Sequence, residues 1–152
     1  MIYLLATLIG VVAGLRAMTA PAAVSIGAWL GLFSLAGTPL AFMASCWAAI
    51  LFALLAVGEL VTDQLARTPS RKVPIQFGAR LLTGGLSGAT IGATAGLLIP
   101  GLIAGIVGAV IGTYGGAALR SALAARFGRD LPAALVEDVI AVGGAALIVC
   151  AL

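Results

Sequence analysis

Charged residues divide the chain into long uncharged stretches, and the lengths of those stretches predict its elements. Residues 1–15, 17–58, 81–119 and 139–152 contain no Asp, Glu, Lys or Arg. A helix of about 20 apolar residues crosses the hydrocarbon core of a bilayer, so the two long stretches each hold two crossings. Gly37-Thr38-Pro39 interrupts the first and Pro100-Gly101 the second, and both are turn signals that end helices. The pattern predicts six helical spans, at about 2–17, 20–36, 40–62, 75–99, 101–119 and 132–152, in one integral membrane domain over 1–152. Pro74 and Pro132 suit helix starts, and Asp130 suits a cap ahead of the latter. Glu137 and Asp138 then fall inside the membrane boundary. The segment RSALAARFGRD, 120–130, reads as an interfacial helix that continues span five and ends near Gly128. The first ten residues, MIYLLATLIG, lack the basic start of a cleaved secretory signal and read as a retained helix.

Composition strengthens this reading. Of the 152 residues, 62% are hydrophobic and 9% charged, against about 25% charged in a soluble domain that must coat itself with polar groups. The fold class is therefore an all-α membrane protein, a polytopic bundle. Net charge is +3, yet only eight basic residues occur and none form a run longer than Arg71-Lys72, which argues against nucleic acid as a partner. The chain has no His, which excludes imidazole metal sites, Ser-His triads and His proton relays. Cys46 and Cys150 lie in apolar stretches at unrelated spacing, so they read as buried, inert thiols rather than a redox or zinc pair. No cofactor is implied.

With six spans, every charge sorts to one face. Arg16 falls at the first turn on that face, Glu59, Asp63, Arg67, Arg71, Lys72 and Arg80 at the second, and Arg120, Arg126, Arg129, Asp130, Glu137 and Asp138 at the third. Basic residues beside short loops mark the cytoplasmic side, so both termini are expected in the periplasm of a bacterial inner membrane. Removing or adding one span would scatter the charges over both faces. The loop 67–72, RTPSRK, reads as a solvated connector that sets topology and offers at most weak contact with anionic headgroups.

Glycine supplies a packing signal. Gly84, Gly88, Gly92 and Gly96 recur at every fourth position, as do Gly101 and Gly105, then Gly108, Gly112 and Gly116; Gly10 with Gly14 and Gly27 with Gly31 repeat the spacing once. Such faces let helix backbones approach closely in lipid, so spans four and five are expected to form a tight hairpin with glycine-zipper packing. A second stripe on that hairpin leaves a homo-oligomer seam open as an alternative. Arg16-Ala-Met-Thr19 and Arg80-Leu-Leu-Thr83, each followed by a Ser and an Ile-Gly-Ala triplet, form a local echo of the kind seen in three-plus-three transporter repeats.

Arg16, Glu59, Arg80, Glu137 and Asp138 come from different spans but similar depth, and Asp63 follows Glu59 by one helical turn. Ionised groups at a hydrocarbon boundary are costly unless paired or hydrated, so these six are expected to meet, the acids neutralising Arg16 and Arg80. Two readings follow: an anchoring layer of snorkelling and bridging charges, or a binding site for a small solute, ion or lipid headgroup. The sign of a ligand stays open.

The segments GLRAMTAPAAVS, GELVTDQLARTPSR and LPAALVEDVIAVGGAALIV, with the glycine-rich pair of spans between them, resemble the family of bacterial integral membrane proteins known as domain of unknown function 4126. The resemblance covers nearly the whole chain. Its Arg-Ala pair after the first span matches Arg16-Ala17, its Glu and Asp closing the third match Glu59 and Asp63, and its Glu-Asp pair opening the last matches Glu137-Asp138. Gln64 and Ala66 stand where the pattern usually has Lys and Pro. The resemblance implies a small multi-span inner-membrane protein and no particular activity.

The expectation that follows is a transporter or channel for a small solute or ion, with its charged site at the cytoplasmic side, membrane lipids around it and a second copy as partner. The alternative is a non-transporting accessory protein whose charges are sealed bridges between helices. A lipid-modifying enzyme, with carboxylates as acid and base and Arg on phosphate, is the third class. Without His, a metal-ligand cluster or an activated nucleophile, a catalytic role is not expected.

Overall fold

The computed structural model describes residues 1–62, 74–128 and 130–152. Among these it is all-helical with no strands: α1 Ile2–Leu15, α2 Thr19–Trp29, a 3-10 turn Ala41–Ala44, α3 Cys46–Thr62, α4 Pro74–Ala93, α5 Leu98–Phe127 and α6 Asp130–Cys150. Two segments, Leu98–Phe127 and Leu131–Cys150, are long and apolar enough to cross a membrane; Ile2–Leu15 and Cys46–Thr62 are shorter apolar helices.

Helix α5 is the central element and packs most extensively against α1 and α4. Glycine makes that possible. A β-carbon on Gly88 would fall on the Gly101 carbonyl oxygen and 2.7 Å from the Gly105 Cα, and one on Gly84 would stand 2.7 Å from the Ala109 β-carbon. On the other side of α5, a β-carbon on Gly108 or Gly112 would strike the backbone of α1 at Thr7 or Val11. The three backbones are therefore in contact where side chains would otherwise hold helices about 8–10 Å apart. The pattern anticipated the α4–α5 approach; that α1 completes a three-helix core was not anticipated.

Two glycines counted in those stripes do something else. Gly31 and Gly96 have φ of +78° and +70° and nothing near their missing β-carbons. Each is the left-handed residue that ends a helix: Gly31 N–H donates to Ala28 and Leu32 N–H to Gly27, while Gly96 N–H donates to Ala93 and Leu97 N–H to Gly92. This paired pattern closes the last turn and satisfies its carbonyls.

These stops move the element boundaries. The stretch 20–36 is helical only to Trp29, and 30–45 continues as turns and the 3-10 segment, folded back so that Leu35 and Met43 are buried. The stretch 40–62 becomes α3 only at Cys46, where the Ser45 hydroxyl caps the Ala48 N–H at 3.1 Å. The break between α4 and α5 lies at 94–97 instead of Pro100, which sits in the first turn of α5 where its missing N–H forfeits no helical bond. Helix α5 does continue through 120–127 and ends at Gly128, φ +67°. Cys46 and Cys150 are exposed rather than buried, Cys46 as the first residue of α3 and Cys150 as the last of α6.

Candidate functional site

The break between α1 and α2 exposes backbone groups that a continuous helix would satisfy. Arg16 closes α1 with extended backbone, φ −139° and ψ 109°, so the last carbonyls of α1 and the N–H groups ahead of α2 face outward into the bundle. Two charged side chains from other helices meet them. Arg80 of α4 donates from one guanidinium nitrogen to the carbonyls of Gly14, 2.7 Å, and Leu15, 2.8 Å. Glu59 of α3 accepts from the N–H groups of Ala17, 2.8 Å, and Met18, 2.7 Å, one on each carboxylate oxygen. A cation thus meets the negative end of α1 and an anion meets the N–H groups leading into α2, the favourable sign at each end. Arg80 and Glu59 in turn lie 3.9 Å apart.

The remaining charges extend this layer toward α5 and α6. Arg16 pairs with Asp138 of α6, and Arg120 of α5 pairs with Glu137 at 3.7 Å. Arg16 is 0% exposed, Arg80 2% and Glu137 1%, so the layer is largely sealed from water. Among the described residues three cations meet three acids here, and pairing of this kind is how charged groups tolerate burial.

Of the six residues singled out from the sequence, five come together here: Arg16, Glu59, Arg80, Glu137 and Asp138. Asp63 lies outside the described residues, as do the loop 67–72 and Arg129, and the capping role expected of the Asp130 side chain falls outside them as well. Arg120 was not singled out. It stands eight residues before Gly128, and Glu137 stands nine after it, so a hairpin turning at that glycine brings the two level. The use of Glu59 as a backbone cap was also unforeseen, since it depends on where the α1–α2 break falls.

The polar groups deeper in the bundle are mostly self-contained. Ser87, Thr90 and Thr113 donate to carbonyls four residues back in their own helices, at 2.7, 2.8 and 2.8 Å. Among the described residues no group of three or more Cys, Asp or Glu could hold a metal ion. An apolar cavity of about 420 Å³ lies between α2, α3 and α6, bordered by Thr19, Ala56, Leu60 and Val142. Leu60 adjoins Glu59 in sequence, and Val142 follows Asp138 by one turn, so the cavity begins where the charged layer ends. No protein-family model, curated protein or solved structure matches the chain.

Proposed function

We propose that the chain is a small six-span protein of the bacterial inner membrane that carries a small solute or ion across it, with the charged layer closing its cytoplasmic end. The observation that carries this reading is the stacking of the layer on the cavity. Arg16–Asp138 and Glu59–Arg80 join the helices around the cavity to the α1–α4–α5 core, so separating these pairs would open a route between them. Large apolar side chains cover the outer surface, Leu54, Leu82, Val139 and Leu147 among them, each more than 60% exposed, which suits lipid surroundings. The resemblance to the family of domain of unknown function 4126 supports this reading, because four of its charged positions, Arg16, Glu59, Glu137 and Asp138, lie in the charged layer. A homo-oligomer would enlarge the pathway that so few helices can enclose.

A second reading is supported by the burial of Arg16, Arg80 and Glu137: the charges are permanent bridges, and the protein is an accessory component that moves nothing. Cysteine accessibility separates the two. In a background with Cys46 and Cys150 replaced by Ser, Asp138→Cys reacts with a membrane-impermeant thiol reagent added from the cytoplasmic side if the layer opens. It stays protected if the layer is sealed. Persistent protection in a chain that keeps its fold overturns the transport reading.

A further inference from the structure

Charges on the α5–α6 hairpin fall at two levels. Arg120 and Glu137 belong to the charged layer, whereas Arg126, Arg129 and Asp130 flank Gly128 in the sequence, and 121–125 and 131–136 carry no charge. Arg120 to Arg126 is six residue steps of α5 and Leu131 to Glu137 six of α6, each about 9 Å at the helical rise. Helix α4 repeats the arrangement: Arg80 lies six steps inside Pro74, 74–79 is uncharged, and Lys72 precedes it in the sequence. These extensions past the layer present large apolar side chains outward. Phe127 is 49% exposed, Leu131 55%, Leu135 47% and Ile75 84%, a surface that calls for apolar surroundings.

Helix lengths identify those surroundings. At the ends away from the layer, Tyr3 opens α1, Trp29 closes α2 and Trp47 opens α3, each more than half exposed. Such amphipathic rings collect at the edge of a bilayer. From that level to the layer is thirteen steps between Tyr3 and Arg16, twelve between Trp47 and Glu59, and thirteen between Cys150 and Glu137. These distances are about 18–20 Å, and tilt only shortens them. A hydrocarbon core of about 30 Å therefore does not end at the layer. Adding the extensions gives about 27–29 Å, which matches the core.

We infer that the outer part of the α5–α6 hairpin and the first turns of α4 are embedded in acyl chains, so that the cytoplasmic edge of the hydrocarbon lies at the Gly128 turn and the charged layer about 9 Å beneath it. Arg126 then meets the headgroups, where anionic lipid favours its charge. This rests on the membrane reading above and deepens it, because the layer becomes an intramembrane site. Ionised groups at that depth persist only when paired or beside water, and Arg16–Asp138 and Arg80–Glu59 supply the pairing. A solute from the cytoplasm has to cross the outer third of the membrane before it reaches them.

The test measures depth along two helices. With Cys46 and Cys150 replaced by Ser, a nitroxide is attached at Leu131→Cys, Leu135→Cys, Val139→Cys or Leu147→Cys on α6, or at Leu82→Cys on α4, all exposed positions. The full chain is reconstituted in phosphatidylethanolamine–phosphatidylglycerol vesicles. Power saturation then compares collisions with oxygen, which concentrates among acyl chains, and with a nickel chelate, which stays in water. The expected result is that oxygen dominates at position 135, that 139 and 82 are the deepest sites, and that 131 lies at the boundary. Position 147 is shallower than 139. Nickel-chelate access at 135, or a position 139 or 82 no deeper than 147, puts the layer at the edge and overturns the inference. Shielding of 131 and 135 from both reagents overturns it too, because protein rather than lipid then covers the hairpin. Position 82 gives its answer independently should an α6 variant fail to fold. Flotation with the vesicles is read separately: a chain that floats with 135 in water loses only this depth, and one that does not float loses the membrane reading as well.

Discussion

Glu59 and Arg80 stand 3.9 Å apart across the break between α1 and α2, and each satisfies backbone that the other could not. The guanidinium can only donate, and it takes the carbonyls of Gly14 and Leu15; the carboxylate can only accept, and it takes the N–H groups of Ala17 and Met18. An interruption in the chain has thereby become the junction of α3, α4 and the α1–α2 turn. Hydrogen bonds to charged groups contribute about 1.5–3 kcal/mol each, so Glu59→Ala is expected to lower stability by about 3 kcal/mol. Glu59→Gln keeps one acceptor oxygen and is expected to lose about half as much. Unfolding of the detergent-solubilised protein, followed by circular dichroism, measures both, and equal losses would mean that the cap does not depend on the carboxylate.

Arg16 and Asp138 form a buried pair, and such pairs respond differently to losing one member than to losing both. Arg16→Met or Asp138→Leu alone removes one member of this pair and is expected to cost about 3–5 kcal/mol. The double variant removes both desolvation penalties and is expected to return to within about 1 kcal/mol of the parent. The double-mutant cycle in the same unfolding assay reads the coupling. A solute flux lost in a stable double variant would show that the pair serves transport beyond holding helices together.

The convergence of charges was legible in the sequence because an oily chain offers few places for ionised groups. Arg16, Glu59, Arg80, Glu137 and Asp138 could each be assigned a depth from helix lengths alone. Their pairing was not legible, because it depends on rotation about helix axes and on the location of one chain break. The glycine pattern shows a similar limit. Spacing of four marks Gly88 and Gly31 alike, but only geometry separates a glycine needed for close approach from one needed for positive φ. Position in the helix was the overlooked clue: Gly31 and Gly96 are the last members of their stripes, where an ending helix recruits glycine. Pro100 is the reverse case: by sequence it marks a helix end, yet it sits in the first turn of α5, where proline is tolerated.

Gly88 sits where α4 and α5 touch through backbone, and a β-carbon there has no space against the Gly101 carbonyl. Gly88→Leu is expected to force the helices apart. Overpacking alone costs about 1–3 kcal/mol, and the loss of contacts along the hairpin adds to it. Gly143 on α6 has nothing within 4 Å of its missing β-carbon, so Gly143→Leu is expected to change stability by less than about 1 kcal/mol. Monodisperse elution after extraction should separate the two variants. Similar behaviour would mean that close approach of α4 and α5 is not what holds the core.

The short α2 makes topology the most informative measurement on the proposed six spans. Its eleven residues extend about 16 Å, half of a hydrocarbon core of about 30 Å, so 30–45 would complete the second crossing and return toward α3. Non-helical backbone at membrane depth is tolerated only where protein covers it, and the burial of Leu35 and Met43 is consistent with such cover. If the return reaches the far side, a tag inserted at Thr38 and a reporter fused after Leu152 both lie in the periplasm, and the loop 67–72 lies in the cytoplasm with its basic residues. Alkaline phosphatase fused after Leu152 is then active, and a cysteine at Thr38 in the cysteine-free background is labelled from outside intact cells. A periplasmic Leu152 with an unlabelled Thr38 would leave 19–62 as a re-entrant segment that dips in and returns along α3, bringing Glu59 back beside Ala17 and Met18. An inactive phosphatase at Leu152 would place that end in the cytoplasm, through an odd number of crossings when 67–72 is also cytoplasmic and through inversion of the bundle when it is not.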